Sequence, residues 1–134
     1  MPTRRASPPA RQKSSAEKGA YYKARSKRWL LAHQWQVGNL EEVRWIVTGS
    51  GARIPVKRDQ FGSDLIALNA YTVAFIQVKG GRTARQGVSA ARRKFAEFTF
   101  PRASEQWIML WLPRAREPEI IMLSKGLDFD QGDT

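Results

Sequence analysis

The chain has no cysteine and a single histidine among 134 residues. Without cysteine there is no thiol nucleophile, no disulfide framework, no iron–sulfur cluster and no Cys-ligated zinc. His33 alone cannot build a two-histidine metal site, and a serine–histidine triad would hang on that one ring. No apolar run approaches the roughly 18 residues of a membrane span. The N-terminus is basic without the apolar block of a signal peptide, so a soluble, cytoplasmic protein with no membrane partner is expected. Acid is scarce too: 12 Asp and Glu face 23 Lys and Arg, a formal net charge of +11. That balance makes a polyanion the expected partner, nucleic acid ahead of a membrane surface because no strongly amphipathic basic helix stands out. The length allows one domain, which buries roughly two thirds of its unfolded surface and needs no staple.

The charge is unevenly spread. Residues 1–28 hold nine Lys or Arg and one acid, Glu17. Residues 1–16, rich in Pro, Ser and Arg and without apolar periodicity, read as a disordered basic arm. A single domain is expected over 17–125, followed by an acidic tail over 126–134. Between Lys79 and Lys94 there are six basic residues and no acid, whereas Glu117 to Thr134 holds five acids against Lys125. A charge run is often a solvated face; the second basic cluster gains meaning from what it adjoins.

Helical spacing of Ala20, Tyr21, Ala24, Trp29, Leu30 and Leu31 predicts a first helix over about 17–34. VRWIVT (43–48), a Gly-Ser-Gly turn and RIPVK (53–57) predict a hairpin. DLIAL (64–68) and YTVAFIQVK (71–79) predict buried central strands joined at Asn69 and Ala70. A helical pattern resumes over 88–98, then QWIMLWL (106–112) and EIIML (119–123) read as strands. The order α-β-β-β-β-α-β-β predicts an α/β (α+β) domain, a mixed central sheet flanked by helices, with 74–112 as a strand–helix–strand crossover. The five tryptophans are expected mostly in the core or a subunit interface.

Asp64 opens one strand, and Gln77-Val78-Lys79 closes the next thirteen residues later. If the two strands pair, these ends meet, and alternation puts Gln77 and Lys79 on one face. A carboxylate, an amide oxygen and an ammonium then converge, a set suited to phosphodiester hydrolysis. Asp64 and the Gln77 oxygen, with the Val78 carbonyl, can hold a hard divalent cation. Lys79 can orient the nucleophile and stabilise developing negative charge.

FGSDLIAL (61–68) and FIQVKGG (75–81), led by KGAYYKARSKRWLLAHQW (18–35), resemble the PD-(D/E)XK nuclease superfamily, within it the small Holliday junction resolvase-like enzymes. The resemblance spans about residues 18–125. It implies a restriction-endonuclease-like fold, Asp64 as metal-binding aspartate, Gln77 at the acidic-or-Gln position and Lys79 as catalytic lysine. It further implies Mg²⁺ or Mn²⁺, a homodimer acting on four-way DNA junctions, and a nucleoid-associated place in a prokaryotic or phage-infected cell. Two positions depart from the pattern. The first-helix glutamate is replaced by Lys23, and Gln77 stands where Glu is usual. Glu17, Glu41, Glu42 or Asp59 can supply the missing carboxylate, Asp59 being attractive five residues before Asp64.

Lys18, Tyr22, Lys23, Arg53, Lys57, Arg58, Arg82, Arg85, Arg92, Arg93 and Lys94 are the expected DNA contacts. Of Tyr21 and Tyr22, one is expected in the core and one on the substrate. Gly80 and Gly81 serve either a close phosphate approach or a strand-ending turn. The leading expectation is a metal-dependent, structure-selective DNA endonuclease, a Holliday junction resolvase. Its alternatives are a flap or duplex nuclease of repair or restriction type, a non-catalytic DNA-binding module of the same fold, and an RNA-binding accessory protein.

Overall fold

A computed structural model describes residues 15–123, so the expected basic arm and acidic tail fall almost wholly outside the described residues. Helix α1 (Ser15–Ala32) leads into β1 (Gln36–Asn39), β2 (Glu41–Val47), β3 (Arg53–Asp59), β4 (Leu65–Leu68) and β5 (Val73–Gly80). A 3₁₀ turn (Ala84–Gly87), α2 (Val88–Ala96), β6 (Ser104–Trp111) and β7 (Glu119–Met122) complete the fold. The central sheet runs β1-β4-β5-β6-β7. Among the described residues only β5 and β6 are parallel, the α2 crossover joining them as the strand–helix–strand pattern predicts; the other pairs are antiparallel.

Alternation along β6 divides the core. Trp107, Met109 and Trp111 pack with Leu30 of α1, Leu65 and Ile76 on one side of the sheet. Ile108 and Leu110 pack with Ala91 and Phe95 of α2 on the other. The result is the expected α/β (α+β) architecture, a mixed sheet with a helix against each face. No helix among the described residues is long and apolar enough to cross a membrane.

Two departures from the sequence reading have physical causes. Helix α1 stops two residues early because Gln34 turns left-handed at φ 70°. The Gln34 N–H then donates to Leu31 O and the Trp35 N–H to Leu30 O, both at 3.0 Å, the paired bonds of a Schellman cap. The strand that follows, Gln36–Asn39, has neither an apolar run nor alternation, and it forms because β4 offers it an edge.

The β2–β3 hairpin is present as expected but makes a two-stranded sheet of its own. Its side chains are mostly exposed beyond the base. Trp107 and Trp111 are core and Trp29 and Trp35 pack against it, whereas Trp45 on this ribbon is 58% exposed.

Candidate functional site

Strand register brings three carboxylates together. Glu41 pairs with Asp59 across β2 and β3. β3 reverses into β4 through Phe61 and Gly62, both left-handed (φ 55° and 67°), between bridged Gln60 and Ser63. Two left-handed central residues match the strand twist in a two-residue hairpin turn; Asp59 and Asp64 are therefore the next opposed positions outward. The Leu40 N–H donates to the Asp64 carbonyl at 2.9 Å, tying the start of β2 to the same point. One carboxylate oxygen each from Glu41, Asp59 and Asp64 lies within 4.8 Å of the others.

Asp64 sits at the head of β4. Its N–H donates to Ile76 O at 2.8 Å, and its Oδ2 accepts the Val78 N–H at 2.8 Å. Continuing the Leu65–Ile76 pairing by one step sets Asp64 opposite Gln77. Lys79 follows two residues on, on the same face as Gln77. Gln77 is buried, 5% exposed, and its Nε2 donates to Gly62 O at 2.6 Å, leaving Oε1 as the atom a cation can use. The Val78 N–H and carbonyl both face the β4 edge by alternation, toward Asp64. The methylenes of Lys79 run past Gly87, where an added Cβ would lie 3.2 Å from Lys79 Cδ. A cavity of about 320 Å³ is lined by the three carboxylates together with Gln77, Val78, Lys79, Lys23 and Lys94, among others.

Lys23, at the position where the resemblance expects an acid, donates to Glu41 Oε1 at 2.6 Å, and Lys57 Nζ is 3.9 Å from the same oxygen. Burial pushes Glu41 up, but the Lys23 hydrogen bond and charge, with Lys57, outweigh it and leave the carboxyl below its ordinary value. Asp59 is raised, by burial first and by the Glu41 charge. Asp64 is pushed up to about 6; burial is the main cause, the Asp59 and Glu41 charges add to it, and the Val78 N–H and Lys79 oppose it. An all-oxygen set of crowded, partly buried carboxylates fits a hard divalent cation, whose charge relieves their repulsion. The acidic triad can therefore hold a metal ion, with Lys23 as the competing cation.

Of the other expected contacts, Lys57 and Lys94 line this cavity. Arg53, Lys57 and Arg58 are exposed along β3, Lys18 on α1, Arg82 after β5, and Arg92, Arg93 and Lys94 on α2. Arg85 is held by Glu119 at 2.6 Å. Tyr22 packs against the core with its ring over Gly80, and Tyr21 is 40% exposed. Gly81 carries the turn at φ 93°. Glu41 was one of four open candidates in the sequence; the signal that singles it out is the hairpin register opposite Asp59.

No protein-family model matches the chain, and no curated protein does. Among solved structures it is similar to Hjc of Archaeoglobus fulgidus, a Holliday junction resolvase from an archaeal hyperthermophile. The two are 16% identical with a TM-score of 0.41, over 80% of this chain and 76% of that one. A likeness of that size assigns neither family nor activity.

Proposed function

We propose that the chain is a metal-dependent, structure-selective DNA endonuclease acting at branched DNA, with the four-way junction as its substrate and a homodimer as its working form. One observation carries this reading: three carboxylates from adjoining strand ends converge beside Lys79 in a single cavity. In this reading Glu41, Asp59 and Asp64 hold Mg²⁺ or Mn²⁺, with the Gln77 oxygen and Val78 carbonyl as further donors. The ion supplies Lewis-acid polarisation of the scissile phosphate and a water of lowered pKa. Lys79 donates to phosphate oxygens and stabilises charge developing on them. Gln77 braces the Gly62 turn and so keeps Asp59 and Asp64 opposed. Arg58, Lys94 and the exposed arginines of α2 set the backbone over the cavity through phosphate contacts.

A second reading is favoured by the Lys23–Glu41 ion pair. An ammonium on one of the three carboxylates lowers the charge available to a metal, and a binding module with weak or no turnover follows. Synthetic four-way junction, flap and linear duplex incubated with Mg²⁺, Mn²⁺ or EDTA separate the two. Paired nicks on the junction, lost in EDTA and reduced at least 100-fold by Asp64→Ala and by Lys79→Ala, are expected. Junction binding without cleavage under either metal establishes the second reading instead. Failure to bind any of the DNAs, or displacement by structured RNA at equal concentration, overturns both.

A further inference from the structure

The β2–β3 ribbon is unusual in this molecule. An isolated two-stranded hairpin is marginal in water, yet this one carries Val43, Trp45, Ile46 and Val47 on β2 at 47–70% exposure. Register shows what its two faces are. Directly paired residues project to the same side and alternate along each strand. Glu41 with Asp59, Val43 with Lys57, Trp45 with Pro55 and Val47 with Arg53 therefore share one face. The face that starts at the acidic triad continues outward through a cation, an indole and a second cation.

We infer that this ribbon is a substrate arm on which Trp45 stacks against an unstacked base of DNA whose backbone lies over the acidic triad. The inference deepens the DNA reading above and rests on it. Trp45 lies four residues from Glu41, about 13 Å at the rise of an extended strand, or roughly four base steps. Its ring is 58% exposed, and the Arg53 guanidinium stands 5.2 Å from the ring centroid, fixing its orientation. Beyond the triad, residues 42–58 hold four cations and one acid, Glu42. That charge complements a polyanion and opposes a second copy of the same ribbon. On the far strand, Pro55 has no N–H to offer a pairing strand at the β3 edge, which also disfavours growth of the sheet by a partner.

The consequence is selectivity without base reading. Stacking on an aromatic ring tolerates any base but needs one that is out of its stack. A branch point or gap supplies such a base and a continuous duplex does not. Trp45 is thus a specificity-determining residue.

The test reads binding, not cleavage. Wild type, Trp45→Ala and Trp45→Phe are titrated in EDTA against a four-way junction, a gapped duplex and a linear duplex, each with 2-aminopurine at or near the branch or gap. Trp45→Ala is expected to weaken junction and gap binding about 10- to 100-fold, to leave duplex binding within about threefold, and to abolish the 2-aminopurine quench. Trp45→Phe is expected to restore most of each. Because the side chain is exposed, circular dichroism should show the fold retained. Unchanged junction binding, or an equal loss on all three DNAs, overturns the inference. Loss accompanied by conversion of a wild-type dimer to monomers in sedimentation also overturns it, by assigning the ribbon to a protein contact. A wild type that binds junctions selectively through Trp45 but never cuts them refutes the nuclease reading and supports the arm.

Discussion

Asp64 carries the largest electrostatic cost in the site. In the folded chain its carboxyl binds a proton near pH 6, mainly because burial disfavours the charge, whereas an unfolded chain releases it near pH ~3.9. Between those values the folded state holds more protons than the unfolded one, so stability falls as pH rises. The cost is absent below the lower value and complete above the upper one. A shift of this size amounts to about 2–3 kcal/mol. Asp64→Asn keeps the shape and an acceptor for the Val78 N–H but removes the charge. In EDTA at pH 7.5 the variant is expected to be more stable than wild type to urea by up to that amount, and by no more than about 0.5 kcal/mol at pH 4. A less stable variant at pH 7.5 would refute the assignment of the shift to burial. The trio Asp64, Gln77 and Lys79 was legible in the sequence because one short strand pair relates them. The place of Glu41 was not, since it depends on the register of a hairpin and on a turn whose left-handed Phe61 no turn preference announces.

Between elements, α1 is seated close against the end of β5 beside the site. A Cβ built at Gly80 would run into the Tyr22 ring. That glycine therefore makes room for an aromatic ring. Adjacent to Tyr22, Lys23 is set against Glu41 by the same seating of the helix. Ser26, one turn on, accepts the Trp111 Nε1–H at 2.7 Å and donates to Tyr22 O at 2.8 Å. Gly80→Ala is expected to cost at least about 1–3 kcal/mol, as over-packing does. Gly49→Ala, where an added Cβ meets nothing within 4 Å, should stay within about 0.5 kcal/mol of wild type. Equal midpoints for the two variants in thermal unfolding would show that α1 yields at Tyr22. The sequence announced the strand and its Gly-Gly end, but left their purpose open between a turn and a phosphate approach. Gly81 takes the turn and Gly80 the ring, a division that only a contact across 58 residues of chain can make.

Over the whole molecule the basic surface does not act as a single charge. Arg85, from the acid-free run between Lys79 and Lys94, is spent on Glu119 of β7, and Arg25 lies over the Trp111 ring and donates to Ala115 O. Those two were indistinguishable in the sequence from cations free to meet DNA, because their partners lie 34 and 90 residues away. Arg58, exposed on β3, lines an adjoining cavity with Glu41 and Asp59, and Arg93 lies one turn along α2 from the cavity residue Ala90. If the DNA backbone crosses the triad, both meet phosphate, and each contact contributes about 0.9 to the slope of log affinity against log salt. The Arg58→Gln, Arg93→Gln double variant should therefore bind junction and duplex more weakly alike, and reduce the slope by about 2. Arg85→Gln, which removes a cation already held by Glu119, should leave the slope unchanged. Titrations between ~50 and ~200 mM salt measure all three slopes. A double variant with the wild-type slope would move the DNA off the triad, whereas a shallower slope in Arg85→Gln would mean that DNA opens the Glu119 pair to reach the 3₁₀ turn before α2.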